Sequence, residues 1–83
     1  MKVLKKIRNW LVKPNSVDSV VRSVELTTGF DLEALRSPVR GKKVSGARRL
    51  LIRQLDTYTS LSVAEIASHV NRSTQYVYDV LNQ

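Results

Sequence analysis

The 83-residue chain has no cysteine, two prolines, three glycines, one tryptophan and one phenylalanine. The missing cysteine excludes disulfide frameworks, thiolate metal sites and cysteine nucleophiles. The single His69 has no second imidazole or thiol with which to share a metal. No apolar run is long enough to cross a bilayer, and no uninterrupted apolar stretch leads to a small-residue cleavage site, so the sequence reads as a cytoplasmic protein. A phosphate loop of the form G-x-x-x-x-G-K-[ST] is absent, and Gly41-Lys42-Lys43 alone does not make one. Acids, nucleophiles and metal ligands form no convergent set, so neither enzymatic activity nor a cofactor is expected. At this length the chain makes one small domain.

Positive charge is what the chain has in excess. Fourteen Lys and Arg stand against seven Asp and Glu, giving +7 and a pI near 10.3. Five cations (Lys2, Lys5, Lys6, Arg8, Lys13) fall in the first thirteen residues, and seven (Arg36, Arg40, Lys42, Lys43, Arg48, Arg49, Arg53) lie between residues 36 and 53. Neither block contains an acid. Such blocks are local positive fields and point to a polyanionic partner, nucleic acid or an anionic membrane surface.

The apolar spacing is helical throughout, and no strand pattern or internal repeat appears. Val3, Leu4, Ile7, Trp10 and Leu11 form one stripe opposite Lys5 and Arg8, a basic amphipathic helix over residues 1–14 that Pro14 stops. Asn15 or Ser16 caps a second helix running to about Thr28, with Val17, Val20, Val21 and Val24 inward and Gly29 as its left-handed stop. Asp31 caps a short turn carrying Leu32 and Leu35. Residues 37–43 then read as a basic loop. From Ser45 a helix of three to four turns places Ala47, Leu50, Leu51, Leu55 and Tyr58 inward. Ser62-Val63-Ala64-Glu65 is a capping box that opens a helix with Ile66, Ala67 and Val70. After the turn at Asn71-Arg72, Ser73 caps a last helix with Val77, Val80 and Leu81 inward and Tyr76 and Tyr78 on its outer side. The expected fold is all-α, five to six helices, with residues 15–83 as the domain.

Residues 63–82 fit the spacing of a helix-turn-helix. Two short helices meeting steeply need a small residue at the close approach (Ala67), an unhindered turn residue four positions on (Asn71) and a branched core residue six further (Val77). Asn replaces the commoner Gly at the turn, and it adopts positive φ more readily than other residues with a side chain.

From about Val17 to Val70 the chain resembles the C-terminal DNA-binding domain of the bacterial chromosomal replication initiator DnaA, a Trp-repressor-like helical domain. The matching positions are Leu35, Ser37, Arg40, Val44 and Arg48, then Thr59, Ser62, Glu65 and Ile66. The resemblance implies that Arg40 matches the basic-loop arginine that enters the minor groove while the helix-turn-helix reads the adjacent major groove. It likewise implies that Arg48 matches a basic residue that contacts phosphate. The family's Gly-Gly-Arg-Asp-His-Thr-Thr, which opens its recognition helix, is replaced here by Asn71-Arg72-Ser73-Thr74-Gln75-Tyr76, so the initiator's own box is not the expected target.

The expected DNA contacts are Arg40, Lys42, Lys43, Arg48 and Arg49 on phosphates and in the minor groove, and Arg72, Ser73, Thr74, Gln75, Tyr76 and Tyr78 around the major groove. Ser73 and Thr74 suit a phosphate at a helix amino end, and Gln75 suits an adenine edge. Tyr78 is equally well placed for rim packing, and His69 reads as a surface residue or phosphate contact. The leading expectation is double-stranded DNA as partner, for a stand-alone replication accessory factor or transcription regulator of bacterial, plasmid or phage origin. Two other classes stay open. Asp79 on the reading face, and the lack of Lys or Arg in residues 73–83, suit a protein partner and a degenerate helix-turn-helix. Residues 1–13 suit an anionic membrane surface, and in the resembled family an amphipathic segment before this domain is associated with membrane contact. No dimer signal is present.

Overall fold

The structure, a computed structural model, describes residues 16–83. The amphipathic helix expected over residues 1–14, with Trp10, lies outside the described residues. Five helices follow in order: α1 (Val17–Thr28), α2 (Leu32–Arg36), α3 (Lys42–Tyr58), α4 (Val63–Val70) and α5 (Thr74–Leu81). The described residues contain no strand.

Local chemistry sets most of the boundaries. The Ser16 hydroxyl accepts the Ser19 amide at 3.1 Å, and Gly29 at φ 81° closes α1 in the left-handed region. Valine-rich α1 has weak intrinsic helicity and is held by packing, with Val20, Val21 and Val24 buried. The Asp31 carboxylate caps α2 through the Ala34 amide at 2.8 Å. Glu25, in the last turn of α1, accepts the Leu32 amide at 2.8 Å and so fixes where α2 starts. Both halves of the capping box at Ser62 and Glu65 are made. Asn71 takes the left-handed conformation at φ 56°, and Ser73 caps α5 through the Tyr76 amide at 3.1 Å.

Helix α3 departs from the sequence reading. It begins at Lys42, not Ser45, and its 17 residues make nearly five turns by the ~3.6-residue repeat. The cause is Gly41, whose φ of 146° turns the chain into the helix, together with Val44, which is buried and needs a helical register to reach the core. Lys42 and Lys43 thus stand in the first turn of a helix and not in a loop. Tyr58 is exposed at the far end. Ile52 takes the inward position, because the stripe runs Val44, Ala47, Arg48, Leu51, Ile52, Leu55.

Helix α3 is the axis of the domain: α1, α2, α4 and α5 all pack on it, α4 packs on α5, and α2 meets α4. Leu51, Ile52 and Leu55 are fully buried, enclosed by Val24, Leu35, Ile66, Val70 and Val77. Burying each such side chain contributes about 1.5–3 kcal/mol. Because α2 and α4 share the same flank of α3, the residue 37–41 loop that follows α2 runs beside the turn between α4 and α5.

Candidate nucleic-acid interface

The loop between α2 and α3 is fastened from below and from the side. Arg48 is only 3% exposed although it carries a guanidinium. Its Nε donates to the Leu35 carbonyl at 2.7 Å, and its Nη2 to the Val39 carbonyl at 3.2 Å and, more weakly, to that of Ser37 at 3.4 Å. Arg48, expected at the surface as a phosphate contact, is therefore buried in the wall beneath the loop. It occupies an apolar slot of the α3 stripe and binds the inner side of the loop, since a buried guanidinium must find acceptors and the carbonyls ending α2 lack intrahelical donors.

Arg72 closes the same loop from the α4–α5 turn. Its Nη2 donates to the Ser37 carbonyl at 2.8 Å, and its Nη1 to the carbonyls of Asn71 at 3.1 Å and Val70 at 3.3 Å. Burial and the nearby Arg48 charge lower the Arg72 pKa from the ordinary guanidinium value, with Tyr76 opposing. The Asn71 carboxamide adds a bond to the Arg36 carbonyl at 3.2 Å. Three side chains thus satisfy the carbonyls of residues 35, 36, 37 and 39. The loop and the turn that launches α5 are tied into one piece.

The remaining predicted residues are distributed over this piece. Arg40, Lys42 and Lys43 are exposed, and no side chain caps the amino end of α3 where the two lysines stand. Arg49 is half-buried, its Nη2 about 3.9 Å from where a Cβ at Gly46 would lie. By helical spacing Lys42, Ser45, Arg49 and Arg53 share one stripe of α3. Arg53 is exposed and donates to the Gln83 side chain at 2.9 Å.

On α5, Ser73, Thr74 and Gln75 are exposed at its amino end, and Tyr78 is 51% exposed. Gln75 Nε2 donates to Asp79 Oδ1 at 3.0 Å, which holds the carboxamide along the helix surface. Tyr76 was expected on the outer side, but it is half-buried and packs against the core, because residue 76 lies next to buried Val77 at the edge of the inward stripe. His69 is half-buried near the end of α4.

Between the loop, the first turns of α3 and the α4–α5 turn lies an open cleft of about 590 Å³, whose walls include Arg40, Ser45, Arg48, Asn71, Arg72 and Tyr76. No carboxylate lines it. On the other side of the loop a shallower depression of about 490 Å³ includes Glu33, Arg36 and Asn71. Sequence reasoning did not single out Asn71 or Ser45 as members of the site. For Asn71 the sequence showed only the turn, because the reach of its carboxamide to the end of α2 depends on α2 and α4 sharing a flank of α3.

No helix of the described residues is long and apolar enough to cross a membrane, and no group of three or more His, Cys, Asp or Glu among them is placed to hold a metal ion. Comparison of the chain with protein-family models, with curated proteins and with solved structures finds no match.

Proposed function

We propose that this domain binds double-stranded DNA, with the α4–α5 pair acting as a helix-turn-helix. Arg40 enters the minor groove and α5 lies in the adjacent major groove. The observation that carries the reading is the tie between the basic loop and the turn that opens α5. Two segments that approach neighbouring grooves need a fixed separation, and Arg48, Arg72 and Asn71 supply it. Exposed Arg40, Lys42 and Lys43 beside half-buried Arg49 provide cations for phosphates, which supply affinity without sequence information. Thr74, Gln75 and Tyr78 provide the exposed side chains for base edges. The resemblance to the DnaA C-terminal domain supports the same arrangement, and the different residues at the head of α5 imply a different target sequence. A replication accessory or transcription-regulatory role follows from this reading.

The test is selection from random duplexes, read by fluorescence anisotropy at about 50 and about 200 mM salt. The reading expects a defined motif with an A·T-rich flank, and loss of affinity on Arg40→Ala and Lys42→Ala with the fold intact. Sequence-blind or absent binding would overturn it.

A second reading rests on α5 itself, which carries no Lys or Arg and exposes Asp79 beside Tyr78. In that reading the pair binds a protein, and Arg40→Ala and Lys42→Ala leave the partner bound.

A further inference from the structure

We infer that the cleft between the loop, α3 and the α4–α5 turn is a built site for one phosphate group. Two independent observations converge on it. The first is uncompensated charge: Arg40, Arg48 and Arg72 all line the cleft, none of its lining residues is an acid, and Arg48 and Arg72 bond only to backbone carbonyls among the described residues. Carbonyls satisfy N–H donors, but they do not neutralise two guanidiniums held side by side.

The second is an unfinished donor on a nearly buried side chain. Arg48 is 3% exposed, and its Nε and Nη2 are engaged, whereas Nη1 donates to no atom of the described residues. No fully buried side-chain nitrogen or oxygen among the described residues lacks a partner. Arg48 is one of the residues that line the cleft, so this Nη1 donor belongs to a side chain of the cleft wall. A guanidinium held rigidly in the wall of a positive cleft that Arg40, Arg72, Ser45 and Tyr76 also line matches a tetrahedral oxyanion that accepts from several directions. The ligand chemistry is a phosphate group, either a backbone phosphodiester or the phosphate of a small molecule. The backbone case rests on the DNA-binding reading, in which the cleft lies between the groove entered by Arg40 and the groove entered by α5; the site itself does not.

The experiment is an NMR titration of the isotope-labelled full chain with inorganic phosphate, with ionic strength held constant by chloride, followed by a titration with a duplex. The expected result is saturable shifts at the amides of Arg40, Ser45 and Arg72 and at the Arg48 guanidinium. Arg40→Ala and Ser45→Ala, which leave the buried ties untouched, weaken the phosphate several-fold, and Arg53→Ala on the outer stripe does not. Shifts that rise without saturating and spread equally over Lys42, Lys43, Arg49 and Arg53 overturn the site. If phosphate saturates the cleft but duplex leaves it unperturbed, the site stands for a small phosphate compound and the DNA reading fails. If duplex shifts the loop and α5 while phosphate does not saturate the cleft, the DNA reading stands and the site fails.

Discussion

A guanidinium carried into a protein interior must find acceptors, and Arg48 finds them in the carbonyls of residues 35, 37 and 39. Replacing it with Met removes the side-chain donors to the carbonyls of residues 35 and 39, while Ser37 keeps Arg72, and the expected loss in chemical denaturation is about 3 kcal/mol. Arg48→Lys recovers only part of this, because one ammonium cannot reproduce a planar fork spanning three carbonyls. Asn71 carries a different constraint, a left-handed backbone at φ 56°. Both Asn71→Gly and Asn71→Ala lose the bond to the Arg36 carbonyl, but only alanine is strained there, so alanine unfolds more easily by about 1 kcal/mol. The positive φ at Asn71 was legible from the turn spacing. The burial of Arg48 was not read from the cation block, although the spacing Val44, Ala47, Arg48, Leu51, Ile52, Leu55 puts it in a core slot. Charge type alone points outward, and only the periodicity points inward.

The helices end where local hydrogen bonding dictates, and the caps at Ser16, Asp31, Ser62 and Ser73 were legible because each is a short polar side chain three residues before the amide it accepts. The start of α3 was not, because Gly41 caps without a side chain and Lys42 and Lys43 carry no apolar signal. Ser73→Ala costs about 1 kcal/mol of stability through the lost α5 cap, measurable by thermal unfolding. The capping box of α4 also titrates. The Ser62 backbone amide, then the Ser62 side chain, hold the Glu65 carboxyl below the ordinary glutamate value; desolvation opposes them, and the nearby His69 adds the smallest lowering effect. A depressed folded pKa stabilises fully above the unfolded value, and the contribution is lost as the pH falls through the folded one. Thermal unfolding across the acidic range should therefore show α4 loosening below the ordinary glutamate value. Glu65→Gln, which keeps the geometry without titrating, should flatten that part of the profile.

At the scale of the whole molecule, charge and topology separate affinity from placement. The acid-free block of residues 36–53 supplies the field, and the ties from Arg48, Arg72 and Asn71 decide where it stands relative to α5. Composition foretold the first, but the second required knowing that α2 and α4 share a flank of α3. Lys5→Gln with Lys6→Gln, in the other cation block, should lower duplex affinity at low salt and leave sequence preference unchanged, as selection on the double variant would show. The DNA-binding reading has the cations of the loop and of the first turns of α3 neutralise the duplex, with Arg40 among them from the minor groove. Its most direct measurement is the slope of log affinity against log salt for the native chain and for Arg40→Ala, each checked for unchanged thermal unfolding. With about four such contacts, from Arg40, Lys42, Lys43 and Arg49, the native slope should lie near −3 to −4, and Arg40→Ala should bind more weakly with a slope shallower by about 1. A duplex affinity and slope that Arg40→Ala leaves unaltered would show that Arg40 does not touch the duplex.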